Sequence, residues 1–151
     1  MSEAKTFMIE NAQLVFRNFS GKETQYNRAG DRNFAVLLDD DSAQRMLADG
    51  WNVKFLKSRE DGDEDRPYIS VSVGYKTKPP RVVMISSTGR TVLDEDAVEH
   101  LDWVEIEKAD LIARAYTWAV NGKTGIKAYL QSLYITIQED ELERKYSQLD
   151  D

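Results

Sequence analysis

Asp110-Leu-Ile-Ala-Arg-Ala-Tyr-Thr-Trp-Ala-Val120, Asn121-Gly-Lys-Thr-Gly125, Ile126-Lys-Ala-Tyr-Leu-Gln-Ser-Leu-Tyr-Ile-Thr-Ile137 is the stretch whose reading decides the fold class. Two runs rich in β-branched and aromatic residues flank an Asn-Gly pair, which predicts a β-hairpin. Side chains alternate faces along a strand. One face of the first run therefore carries Ile112, Arg114, Tyr116, Trp118 and Val120. The other carries Leu111, Ala113, Ala115, Thr117 and Ala119, a small apolar face suited to a tightly curved sheet. If Val120 stands opposite Gly125, Trp118 faces Lys127 and Tyr116 faces Tyr129. Rings and cations then share one outer surface, where rings can stack on unpaired bases and cations can meet phosphates. The same residues would also stabilise a sheet through cross-strand pairs alone, and the hairpin by itself leaves both readings open.

Working outward, Phe7 to Phe19 alternates loosely and predicts a strand with Met8, Ala12, Leu14 and Phe16 on one face. A polar, glycine-bearing loop follows to Gly30; it interleaves Phe19, Lys22, Tyr26 and Arg28. Asp31 to Leu38 predicts a second strand, and Asp39-Asp-Asp-Ser42 caps a helix that Gly50 can end in a left-handed turn. Trp51 to Lys57 and Pro67 to Tyr75 predict further strands; in the second, Ile69, Val71, Val73 and Tyr75 oppose Tyr68, Ser70, Ser72 and Gly74. Arg81 to Ser86 is a short strand, and Asp94 can cap a short helix through Leu101. About seven strands and two short helices result, with no internal repeat. Strands adjoin strands more often than helices, so a mainly β fold is predicted, a small antiparallel β-barrel with two short inserted helices. Residues 1–137 form its single domain, and 138–151 an acidic, mobile C-terminal tail.

The chain has 151 residues, enough for one domain with a real core. It has no cysteine, which excludes disulfides and thiolate metal sites. No apolar run approaches the roughly 18 residues of a membrane span, and Met-Ser-Glu-Ala-Lys5 lacks a signal-peptide core. A cytoplasmic protein is expected. The net charge of −7 argues against a polyanion ligand until it is mapped. Glu60–Asp65 carries −5 and Gln138–Asp151 carries −4, which leaves +2 on the rest.

Catalytic patterns are missing. The single histidine, His100, has no Ser and acid pattern beside it for a triad. Asp61-Gly-Asp-Glu-Asp65 alternates acids as a calcium loop does, but the sixth and twelfth positions are Arg66 and Ser72 where Gly and Glu are required. The glycines form no phosphate-loop spacing. The residues predict a non-enzyme with no cofactor and no metal.

Several segments resemble the single-stranded-DNA-binding proteins of tailed bacteriophages: Phe16-Arg-Asn-Phe-Ser-Gly-Lys22, Tyr26-Asn-Arg-Ala-Gly-Asp-Arg-Asn-Phe34, Trp51-Asn-Val-Lys-Phe-Leu-Lys57, Pro67-Tyr-Ile-Ser-Val-Ser-Val73, Leu101-Asp-Trp103, Asn121 to Tyr129, and Thr136 to Leu142. Their order and spacing carry the likeness, from about residue 7 to 146. The resemblance implies an OB-fold barrel that coats single strands in phage DNA replication or recombination. It does not say which residues touch DNA; those are chosen on physical grounds. The ring candidates are Phe19, Tyr26, Tyr116, Trp118 and Tyr129, and the phosphate-binding candidates Lys22, Arg28, Lys54, Lys57, Arg114, Lys123 and Lys127, with Lys76 and Lys78 in addition. Trp51 and Trp103 adjoin apolar runs and are assigned to the core. The acidic tail is expected to mimic nucleic acid in the groove or to recruit replication or recombination proteins. The alternative to a non-catalytic single-strand binder is a virion or assembly β-barrel acting through protein contacts.

Overall fold

The computed structural model describes residues 6–25, 27–56, 66–76 and 78–139. Tyr26, Lys57, the acidic segment 60–65 and the tail from 140 lie outside the described residues. The strands are β1 (Thr6–Ile9), β2 (Leu14–Asn18), β3 (Arg32–Leu37), β4 (Val53–Leu56), β5 (Arg66–Val73), β6 (Arg81–Ser86), β7 (Gly89–Leu93), β8 (Ile106–Val120) and β9 (Lys123–Ile137). One α-helix, α1 (Asp40–Ala48), follows β3; where a second helix is expected there is a short 3-10 helix, Val98–Asp102, preceded by an Asp94 carboxylate that accepts from the Ala97 amide.

The hairpin forms with a tighter turn than the sequence reading assumes. Asn121 and Gly122 alone make the connection, both with positive φ (52° and 78°), the two-residue geometry that matches strand twist. Val120 therefore pairs with Lys123, Trp118 with Gly125, Tyr116 with Lys127 and Arg114 with Tyr129. The shift from the expected pairing is two residues, and since faces alternate with a period of two, every side chain keeps its face. Ala109, Leu111 and Ala113 are buried, and Tyr116 and Trp118 face outward. The pairing register shifts between Ile112 and Ala113, where the partner jumps from Ser132 to Leu130. Beyond Ala128, β9 has only an isolated bridge, Trp51 to Ile126, on its far side, so the distal end projects with Tyr116 to Thr124 exposed.

The main strand order is β1-β8-β9-β5-β3-β2, with β4 on β5, β6 on β9 and β7 on β6. Two pairings are parallel, β5–β9 and β6–β9, against the expectation of an all-antiparallel barrel. Long intervening segments separate these strands, as parallel neighbours require. Among the described residues the sheet does not close into a hydrogen-bonded ring. Phe7 to Phe19, expected as one strand, breaks at Asn11, which has φ 52°. Its two halves, β1 and β2, lie at opposite ends of the sheet and do not pair with each other. The linker between them bonds to β8 and β3, the strands next to each end of the sheet: Ala12 donates to the Ala109 carbonyl and Gln13 accepts from the Leu37 amide. The break also changes the exposed face, leaving Met8 and Phe16 outward while Phe7, Ile9 and Leu14 pack on the core.

That core joins the inner faces of the strands: Phe34 and Val36 from β3, Ile69 and Val71 from β5, Val82 from β6, Leu111 from β8, and Leu130, Leu133 and Ile135 from β9, all essentially inaccessible. Asp39 caps α1, its carboxylate accepting from the Ser42 amide at 2.6 Å, and this bond holds the carboxyl below its usual value. Gly50, at φ 92°, ends the helix turn and directs Trp51 inward against Phe7, edge to face at 4.9 Å.

Candidate nucleic-acid interface

The registers align one row of outward side chains across five strands. Arg114 on β8 pairs with Tyr129 on β9, Tyr129 with Ser72 on β5, Ser72 with Asn33 on β3, and Asn33 with Asn18 on β2. Neighbouring strands lie about 4.8 Å apart, so the row runs for roughly 19 Å. Serines and asparagines keep its middle low, so it reads as the floor of a groove. A hollow of about 660 Å³ covers most of it, lined also by Asn27, Arg32, Ser70, Gly74, Tyr75, Lys76, Tyr116 and Lys127. Four cations (Arg32, Lys76, Arg114, Lys127) face this hollow against two acids, Asp31 and Glu95. The groove is thus locally positive on a chain of net charge −7.

Its rings and cations are already in register with one another. Tyr116 stands edge-on to Tyr129 with centroids 5.8 Å apart. The Arg114 guanidinium lies 5.3 Å and the Lys127 ammonium 5.2 Å from the Tyr129 ring centre. Tyr129 is therefore engaged by cations, and Tyr116, about half exposed, is the open ring. Deeper in, Arg32 lies 5.5 Å from the Tyr75 ring and reaches Glu95 at 3.3 Å. The Tyr75 hydroxyl and Arg32 Nε are buried without a hydrogen-bond partner among the described residues. Burial pushes the Tyr75 hydroxyl above its ordinary pKa of 10.0; Glu95 and Asp94 add to the shift and Arg32 offsets part of it.

The wall beside β3 is formed by loop residues 19–25 and 27–31, shaped by asparagines. Asn18 binds both the amide and the carbonyl of Lys22. The Asn27 side-chain amide lies 3.0 Å from the carbonyls of Lys22, Arg28 and Asp31, and Asn33 donates to the Asn27 side-chain oxygen at 2.8 Å.

A family model for the phage ssDNA-binding domain matches residues 2–151. The chain belongs to this family. No curated protein matches the sequence. Among solved structures, the fold is similar to the single-stranded DNA-binding protein from bacteriophage Enc34 in complex with ssDNA. That match has a TM-score of 0.59 at 11% identity and covers 89% of this chain and 88% of that one. A second structure of the Enc34 single-stranded DNA-binding protein gives a TM-score of 0.56 at 12% identity, covering 89% of this chain and 82% of that one. Bacteriophage T7 gp2.5, a single-stranded DNA binding protein, aligns over 99% and 97% of the two chains with a TM-score of 0.46 and 12% identity.

Within this phage ssDNA-binding domain the candidate residues fall into distinct places. Arg114, Tyr116, Lys127 and Tyr129 meet in the groove, and Lys76 joins them. Trp118 continues the same face toward the hairpin tip, its indole lying over Gly125, with Lys123 exposed beside the turn. Lys22 is exposed on the asparagine-held loop; Arg28 is exposed on that loop and does not line this hollow. Lys54 is exposed on β4 opposite Tyr68, away from the groove. Tyr26 and Lys57 lie outside the described residues. Phe19 needs correction: it is wholly buried and stacked on Phe34 at 5.1 Å, so it is no surface ring. Its amide donates to the Asp102 carboxylate, which pins the start of the loop and turns the side chain inward.

Trp51 is buried as expected, but Trp103 is 71% exposed, because the 3-10 helix sends Leu101 rather than Trp103 into the core. The sequence reading passes over Arg32, Tyr75, Asn27 and Asn33. The outward Ser70 and Ser72 are legible in the alternation of β5, but only the strand order brings them to the groove floor.

Proposed function

We propose that the chain binds single-stranded DNA non-catalytically and without reading sequence, along the groove from Arg114 and Tyr129 past Ser72 to Asn33. The observation that carries this reading is the row itself, in which a cation and a ring, Arg114 and Tyr129, share one outward face with the small polar residues Ser72, Asn33 and Asn18 that continue it. Tyr116 is the ring on which a base stacks. Arg114, Lys127, Lys76 and Arg32 meet phosphates, and Trp118 and Lys123 on the projecting hairpin extend the contact. Lys22 and Arg28 act from the loop. Charge and ring stacking together tolerate any base, because every base offers a flat face. We read residues 1–137 as the binding unit, with the sheet wrapped as an opened OB-type barrel, and 138–151 as an acidic extension that meets partner proteins of phage replication or recombination. Family membership and the likeness to the DNA-bound Enc34 fold support the reading.

The test is a gel-shift or anisotropy titration of the full chain with single- and double-stranded oligonucleotides of one sequence, with and without magnesium. Salt-sensitive binding of the single strand, intact afterwards, is expected. Absence of single-strand binding, or magnesium-dependent cleavage, would overturn it.

A further inference from the structure

The groove does not end at β3. Asn27 and Asn33 line a second hollow of about 530 Å³, together with Phe16, Arg17, Asn18, Ser20, Lys22, Thr24, Asp102 and Trp103. Two features of it are unusual. Phe16 has φ 51°, a left-handed conformation that bulky residues avoid, and sits at a register break of β2. Although it touches Tyr68 edge-on at 5.9 Å, 59% of Phe16 stays exposed. A strained backbone that ends in an exposed ring is not explained by packing. Trp103 is more exposed still, at 71%, yet its backbone is held on both sides. Arg17 donates to the carbonyls of Leu101 and Val104 at 2.8 and 2.7 Å, and the Asp102 carboxylate accepts from the amides of Phe19 and Ser20. Those bonds occupy the Asp102 carboxylate with amide donors, while Lys22 adds a cation at the rim.

We propose that Phe16 and Trp103 form a second base-stacking subsite, which receives the single strand after it crosses the Asn33 and Asn18 positions. This rests on the single-strand reading above. Its occupant is unpaired nucleic acid because the hollow continues the groove floor, shares two of its residues, and repeats its chemistry of open rings beside a cation.

The experiment measures affinity of the full chain for oligo-dT of roughly 6 and roughly 15 nucleotides, within the usual footprint of such folds. Trp103→Ala should weaken the longer oligonucleotide about five-fold or more and leave the shorter one unchanged, and Trp103→Phe should recover most of the loss. Phe16→Gly keeps the positive φ without steric cost while removing the ring. It should hold or raise the thermal midpoint and still weaken the longer oligonucleotide. Unchanged affinity for the longer strand in both variants, or equal losses for the two lengths, overturns the subsite while the central groove stands. If the wild-type chain binds neither length, the function proposed above fails and the subsite with it.

Discussion

Tyr116 stands at an outward position of β8 with 53% of its surface open, edge-on to a Tyr129 ring already engaged by Arg114 and Lys127. A base can reach Tyr116 without displacing a cation. Tyr116→Ala should therefore weaken oligo-dT binding by about 1–3 kcal/mol. The thermal midpoint should move little, because the ring is half exposed and packs on the surface rather than in the core; anisotropy and thermal denaturation separate the two effects. Tyr75 is the opposite case. Its hydroxyl is buried without a partner among the described residues, so Tyr75→Phe should hold or raise stability at neutral pH. Because its folded pKa is raised above the ordinary 10.0, the protonated hydroxyl favours the fold. That contribution is complete below pH 10.0 and is lost as pH rises through the folded value. Wild type should then lose thermal midpoint in alkali faster than Tyr75→Phe; parallel curves would contradict the assignment.

At the scale of the element, the hairpin of β8 and β9 sets the interface. Its turn chemistry, Asn121-Gly122, and its alternation specify which residues face out, and both are legible in the sequence. The pairing partner is less so: Asn121-Gly-Lys-Thr-Gly125 contains two glycines, and only the turn actually formed shows that Gly125 lies within β9. There it has a packing task. A Cβ at Gly125 would come within 2.5 Å of Trp118 Cζ2, so the absent side chain is what lets the indole lie flat across the strand pair. Gly125→Ala should lift the ring from the sheet, shift tryptophan emission to the red and lower oligo-dT affinity, with the core intact by far-ultraviolet circular dichroism. An unchanged emission spectrum would remove that role from Gly125. Phe19 and Trp103 mark the limit of reading elements from sequence: Phe19 stands between Asn18 and Ser20 yet is buried, and Trp103 adjoins Val104 yet is exposed. A hydrogen bond to Asp102 turns one inward, and a 3-10 helix turns the other out.

For the whole molecule, charge distribution outweighs net charge. Four cations line the central groove, so single-strand affinity should fall with salt at a log–log slope near −3, about −0.7 per phosphate contact. Glu95 works against this, holding Arg32 at 3.3 Å in competition with a phosphate. Glu95→Gln should tighten binding at low salt with the slope still about −3, because Arg32 is already one of the four contacts. If affinity does not rise, Glu95 does not compete with phosphate for Arg32. The acidic segments at 60–65 and 140–151 lie outside the described residues, but the start of the tail is held: Glu139 accepts from the amide and hydroxyl of Ser87 at 2.6 and 2.7 Å.

The sequence by itself determined the strand-rich class, the faces of β5, β8 and β9, the cap and end of α1, and the side of the hairpin that carries rings and cations. Each depends on neighbours a few residues apart in the chain, through alternation, turn chemistry and capping. The tertiary structure decided the break between β1 and β2, the parallel seating of β9 against β5 and β6, and the row that joins Arg114 to Asn18. Those depend on contacts between residues far apart in the chain, where a step of two residues in register or one inward turn of a loop changes which side chains meet without altering any local pattern.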